Sequence, residues 1–182
     1  MFKIKETSLI DLKIIIPEVY EDNRGFFFES FREDEINDVF GRDNIIFVQD
    51  NHSNSKKNVL RGLHYQFKTP QIKLIRVTKG KVLDVAVDLR KSSKTFGNWF
   101  GIELSESNKY QLLIPEGFAH GYSTISDEAE VLYKVSEYYN PDDEKCIIWN
   151  DKKINIDWKL TNEPIISKRD KLGVNFIDAY LF

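Results

Sequence analysis

Lys73-Leu74-Ile75-Arg76-Val77-Thr78-Lys79-Gly80-Lys81-Val82-Leu83-Asp84-Val85-Ala86-Val87-Asp88-Leu89 is the stretch that decides the fold class. From Leu83 to Leu89 apolar residues alternate with polar or small ones at period two, the pattern of a half-buried strand. Lys73–Thr78 reads the same way, and Lys79-Gly80-Lys81 is a tight-turn signal, so the pair is predicted as a β-hairpin. Further strands are expected at Ile45–Gln49, Leu60–Gln66, Trp99–Leu104, Tyr110–Ile114, Gly121–Ile125, Glu130–Tyr138 and Cys146–Trp149. Only Phe31–Phe40, rich in Glu, Asp and Ile, reads as a helix. Many short strands with turn signals between them and almost no helix predict an all-β chain, an antiparallel sandwich or barrel.

Composition sets the outer limits. The chain has 182 residues, 41% of them hydrophobic, which suits one core and one domain over 1–182. Residues 155–182, with Pro164 and mixed polarity, are expected to form an extended tail with short helical turns packed on the barrel. A net charge of −3 with both signs interspersed supplies no basic field, so nucleic acid is not an expected partner. The longest apolar runs, such as Ile14-Ile15-Ile16, are too short for a membrane span, and MFKIKETSLIDLK lacks the apolar core of an export signal. The single cysteine, Cys146, excludes an internal disulfide and fits a reducing compartment, so a cytoplasmic location is expected. Its own reading is that of a half-buried strand residue.

Three histidines, His52, His64 and His120, keep the list of chemical candidates short. Pro115-Glu116-Gly117-Phe118-Ala119-His120 fits the second half of the metal-binding cupin pattern, P-x-G-x-x-H. In the first half, Gly62-Leu63-His64-Tyr65-Gln66 puts glutamine where a second histidine would complete the metal cage. Phe67–Gln71 adds no carboxylate, and Lys73 brings a cation that opposes a divalent metal. The scaffold is cupin-like with its metal cage dismantled, and neither metal nor cofactor is expected. Parity puts Tyr133 on one face with Val131 and Val135, and Lys73 with Ile75 and Val77. A lysine there either snorkels from the strand end or serves a site, and Tyr133 alone reads equally as a core tyrosine with a satisfied hydroxyl.

The combination is more specific than its parts. Arg24-Gly25-Phe26-Phe27, Val48-Gln49-Asp50-Asn51-His52-Ser53 and Val59-Leu60-Arg61-Gly62-Leu63-His64-Tyr65-Gln66 open a pattern that continues through Lys73–Val77, Asp84–Arg90 and Ile114–Gly121. Leu132-Tyr133-Lys134, Trp149-Asn150-Asp151, Ile156-Asp157-Trp158 and Ile166-Ser167-Lys168-Arg169-Asp170 complete it. In order and register, over roughly residues 10 to 172, this resembles the dTDP-4-dehydrorhamnose 3,5-epimerases, cupin-fold enzymes of dTDP-L-rhamnose synthesis. The resemblance implies a double-stranded β-helix jelly roll and a dTDP-sugar substrate. It also implies inversion at two carbons flanking a keto group through an enolate, and a homodimer whose N-terminal region crosses the interface.

By the same likeness His64 is the base and Tyr133 the acid. Asp170 orients and charges His64, and Lys73 offsets negative charge on the C4 oxygen. Arg24, Glu29, Gln49, Asp50, Asn51, Arg61, His120, Glu144 and Arg169 are implied as substrate contacts. Position 169 departs from the pattern, being arginine where relatives usually carry lysine, which replaces a point charge by a fixed fork of donors. Arg24-Gly25 and the three phenylalanines after it could equally be a buried edge strand. A 3- or 5-epimerase of a related keto-deoxy sugar nucleotide, or a non-catalytic sugar-binding cupin, would keep most of these motifs.

Overall fold

The computed structural model describes residues 2–41 and 45–182. Two antiparallel sheets face each other. One holds β1 (Lys3–Glu6), β2 (Lys13–Ile16), β10 (Gln111–Ile114), β7 (Lys73–Lys79), β12 (Glu128–Val135) and β5 (Gln49–Lys56), in that spatial order. The other holds β13 (Glu144–Cys146), β6 (Leu60–Gln66), β11 (Phe118–Thr124), β8 (Lys81–Asp88) and β9 (Trp99–Ser105). A separate two-stranded hairpin joins β3 (Tyr20–Asp22) to β4 (Gly25–Phe27). The all-β jelly roll expected from the sequence is what forms. Among the described residues no helix is long and apolar enough to cross a membrane.

The predicted hairpin between β7 and β8 does not exist. Both strands form where expected, but β7 pairs with β10 and β12 while β8 pairs with β9 and β11. Gly80, at φ +69, passes the chain from one sheet to the other. A Cβ there would lie 2.0 Å from the Glu128 carbonyl oxygen, so the crossing is too tight for any other residue. Turn chemistry at 79–81 marked a break between two strands, but local sequence does not say which neighbour each strand will take.

β8 is also more deeply buried than a half-buried strand. Val82 and Ala86 face the space between the sheets, packing with Ile75, Val77, Leu112, Phe118 and Val131. Val85, Val87 and Leu89 face outward and are covered by the C-terminal segment, through Trp158, Phe176, Leu181 and Phe182. Asp84 and Asp88, the polar half of the alternation, are fully buried. Asp88 is held by Arg90, Ser93 and Thr95 at 2.6–3.0 Å, and Asp84 belongs to the site below.

On the other side α1 (Glu33–Phe40) lays Ile36 over Ile15, Leu74 and Leu113. Its first turn is acidic, Glu33-Asp34-Glu35, as the helix dipole favours, and Gly41 at φ 58 ends it. The strand expected at Ile45–Gln49 is displaced: residues 45–48 are irregular and β5 starts at Gln49. Hydrophobic alternation missed β5 because both its faces are polar. The short β1 to β3 were also not anticipated. In β4, Phe26 and Phe27 are 60% and 67% exposed, so the alternative of a buried edge strand fails within this chain.

Candidate active site

Between the two sheets lies an open cavity of about 350 Å³. Its walls follow from strand parity. Along β5, Gln49, Asn51 and Ser53 point in while Asp50, His52 and Asn54 point out. Lys73 enters from β7, Tyr133 from β12, and His120 with Tyr122 from β11.

β6 breaks parity, and the break makes the site. Arg61 and His64 are three residues apart and would face opposite ways on a regular strand. The pairing with β11 slips between His120↔His64 and Tyr122↔Arg61, which puts both on the cavity side. Gly62 takes φ +118 at the slip, and a Cβ on it would lie 2.6 Å from Gly121 Cα. Gly121 is hemmed in equally, its added Cβ meeting the Arg61 carbonyl oxygen at 2.6 Å. The two glycines let the strands close, so that His64 and His120 stand as direct cross-strand neighbours.

Behind His64, Asp170 Oδ1 lies 2.7 Å from Nε2. Burial by itself would raise the Asp170 pKa. The His64 hydrogen bond and charge, with the Gly62 N–H and Ser167, outweigh burial and hold it below the ordinary carboxylate value. An ionised Asp170 can only accept, so Nε2 carries a ring proton and Nδ1 is the nitrogen left to exchange one. Glu144 Oε1 is 4.0 Å from that Nδ1.

Lys73 is 7% exposed, and its Nζ donates to the His64 carbonyl oxygen at 3.4 Å. Burial lowers its pKa from 10.5 to about 8, against the opposing pull of Glu144 and Asp84. Asp84 accepts from His120 Nε2 at 3.0 Å through both oxygens, placing a buried carboxylate under the cavity floor. Burial, then the neighbouring Tyr122 and Glu144, raises the Tyr133 pKa, which keeps the phenol protonated at neutral pH. The cavity therefore carries an imidazole on one sheet, and a phenol and a buried lysine amine on the other.

A family model for dTDP-4-dehydrorhamnose 3,5-epimerase matches residues 6–178. The chain belongs to that family. It is 48% identical to dTDP-4-dehydrorhamnose 3,5-epimerase of Pseudomonas aeruginosa over 99% of both chains. It is 51% identical to the Neisseria gonorrhoeae protein of the same name over 97% of its own length, and spans about half, 53%, of that longer relative. Among solved structures it resembles the dTDP-6-deoxy-D-glucose-3,5-epimerase of Legionella pneumophila, determined in complex with dTDP-4-keto-L-rhamnose. The TM-score is 0.94 at 44% identity, covering 98% of this chain and 94% of that one.

Within the epimerase scaffold, nine residues singled out from the sequence line one cavity: Gln49, Asn51, Arg61, His64, Lys73, His120, Tyr133, Glu144 and Arg169. Asp170 sits directly behind them. Three others do not. Asp50 lies on the outer face of β5, its carboxylate 3.1 Å from Lys134 in an exposed ion pair, away from this cavity. Arg24 lies on the exposed β3–β4 hairpin with Asp22, and Glu29 follows it beside Arg32; neither lines this cavity.

Gln66, at the vacated metal-ligand position, is buried and committed elsewhere. Its Nε2 donates to Thr69 and to the Tyr138 carbonyl, and its Oε1 accepts from the Asn140 N–H at 2.7 Å. Tyr139, Ser53, Gln71, Tyr122 and Asp84 were missed. Parity with Asn51 and with His120 could have found Ser53 and Tyr122. Tyr139 gave no local signal, because it sits in a loop. There its hydroxyl accepts from Arg169 at 2.8 Å and donates to Glu144 at 2.9 Å, beside the direct Arg169–Glu144 ion pair.

Proposed function

We propose that the chain inverts C3 and C5 of dTDP-4-dehydro-6-deoxy-D-glucose, giving dTDP-4-dehydro-L-rhamnose for dTDP-L-rhamnose synthesis. The observation that carries this reading is the placing of the Asp170-backed His64 and of Tyr133 on opposite sheets across one cavity, with Lys73 entering it from the strand beside Tyr133. His64 Nδ1 takes the proton from the carbon beside the C4 carbonyl, and the bonding pair moves onto the C4 oxygen as an enolate. The buried Lys73 ammonium balances that charge. Tyr133 Oη then delivers a proton to the opposite face, and the imidazolium and phenolate restore their protons by exchange with solvent. Repeating the cycle at the second carbon completes the conversion. Enolate formation needs an electrostatic partner for one oxygen, which Lys73 supplies, so the reaction calls for no metal or other cofactor.

Arg61 and Arg169 supply cations for the diphosphate, with Gln49, Asn51, His120 and Glu144 as polar contacts to the nucleotide and sugar. Arg24 and Glu29 reach a cavity only from a second copy, which makes a homodimer part of the reading. The exposed Phe26 and Phe27 would be covered in it. A cytoplasmic location, where nucleotide sugars and reduced cysteine coexist, fits the same reading.

The test is incubation with the keto-sugar nucleotide in deuterated water. Deuterium at both C3 and C5 of the product is expected. Label at one carbon only would make the chain a single-centre epimerase, and label at neither would remove the enolate mechanism.

A further inference from the structure

Cys146 takes no part in the mechanism above, yet it stands beside its base. β13 pairs with β6 so that Cys146 lies directly opposite His64. The thiol, a His64 ring nitrogen and an Asp170 oxygen all lie within 4.8 Å of one another, the one such group of three metal-binding side chains among the described residues. Neither Cys146 nor Asp170 lines the cavity, so the group lies behind the imidazole, with Cys146 half-buried. We propose that His64, Cys146 and Asp170 form a binding site for a thiophilic divalent cation of the zinc or cadmium class, and that its occupancy silences the base.

The chemistry of the donor set supports a soft metal over magnesium or calcium. One sulfur, one imidazole nitrogen and one carboxylate oxygen are ligands that zinc takes in tetrahedral sites with a water in the fourth position. A thiolate and a carboxylate together balance the two positive charges of the ion. Asp170 is already held ionised, so its share costs no proton. Cys146 is held as the thiol, its pKa raised to about 12 first by burial and then by the charges of Asp170 and Glu144. Binding must therefore expel one proton from sulfur, and the metal–sulfur bond replaces the sulfur–hydrogen bond.

The imidazole loses its function. With the ion on Nε2, the nitrogen that faces Asp170, the proton that Nε2 donates moves to Nδ1, and the cavity-side nitrogen can no longer accept one. The present 2.7 Å contact between His64 and Asp170 has to open slightly to admit the ion between them. Lys73, which opposes a metal inside the cavity, reaches the His64 carbonyl from the cavity side.

Metal binding does not depend on the functional reading, whereas the loss of turnover rests on His64 being the base, so two readouts separate them. Cadmium chloride titrated into the purified parent protein should raise a thiolate-to-cadmium charge-transfer absorption saturating at about one equivalent per chain, the ratio set by one thiolate per site. Zinc chloride should abolish epimerisation, a chelator should restore it, and chelator alone should leave turnover unchanged. Cys146→Ala and Cys146→Ser should retain turnover, lose the absorption band, and need at least ~10-fold more zinc for the same inhibition, since one ligand of three is gone. A parent protein with no band, variants inhibited as readily as the parent, or a band without loss of turnover would each overturn the proposal.

Discussion

Lys73 is held against its own solvation. In the unfolded chain it would bind its proton up to about 10.5, whereas the folded pocket releases it near 8. Between those values the unfolded state binds more protons, so stability should rise with pH in that window, while below it the burial penalty is fully present. Activity should run the other way, because the enolate oxygen needs the ammonium: turnover should fall above pH about 8. Lys73→Arg keeps its charge and should flatten that alkaline fall, and Lys73→Met should be inactive at every pH; an alkaline limb unchanged in Lys73→Arg would assign it to another group.

The base and the acid should separate cleanly by isotope exchange. His64→Ala should lose deuterium incorporation at both carbons, by ~10²–10⁴ as is usual for a general base. Tyr133→Phe should still exchange, with return from the same face, but form little product. Asp170→Asn should cost less than His64→Ala, since the imidazole remains. Asp170 also contributes stability that is present above its ordinary pKa and is lost as pH falls through its lowered folded value. The variant should accordingly flatten acid unfolding, measured by circular dichroism. Product formed by Tyr133→Phe at the parent rate would return that residue to the role of a core tyrosine.

Strand elements carry the site through two irregularities that residue-level reading does not reveal. The slip in β6 at Gly62 turns Arg61 and His64 to the same side, and Gly62 and Gly121 pass within reach of each other's backbone. A methyl group at Gly62 would collide with backbone atoms of His120 and Gly121 that have no rotamer to escape into. Gly62→Ala should therefore destabilise by about 2 kcal/mol or more, as strain at a special backbone conformation does. It should also reduce turnover in whatever fraction folds. Thermal unfolding followed alongside kcat checks both, and an unchanged melting temperature would show that β6 and β11 can part without cost. β5 teaches the complementary lesson: its inward Gln49, Asn51 and Ser53 are polar because they line a cavity, so a search for apolar alternation passes over it.

At the scale of the molecule, Arg24 and Glu29 lie away from the cavity of their own chain, on and just beyond a hairpin whose phenylalanines face solvent. If they serve a second copy's cavity, two inactive variants should repair each other. Mixed dimers of Arg24→Ala with His64→Ala contain one cavity with an intact His64 and an intact Arg24 from the other chain, so coexpression should restore activity that neither variant has alone. Absence of complementation in dimers verified by mass would place Arg24 elsewhere, and a monomer in light scattering at micromolar concentration would remove the homodimer altogether.

Period-two alternation, scarcity of helix and ordered motifs were enough, read from the sequence alone, for the all-β class and the family, and parity alone turned Lys73 and Tyr133 inward. Those inferences hold because strand geometry and side-chain alternation are local properties of the backbone. Which strands pair is not local: β7 and β8 are adjacent in the chain and lie in different sheets, because their partners are chosen by burial against segments far along the sequence. The same holds for Asp170, which reaches His64 across 106 residues. It holds for Tyr139, which joins Arg169 to Glu144 from a loop, and for Cys146, set beside the base by a short edge strand. Long-range packing alone decided the Tyr139 and Cys146 contacts, which carry no periodic or motif signal, whereas the Asp170–His64 contact was implied by the family motifs and is brought about by packing.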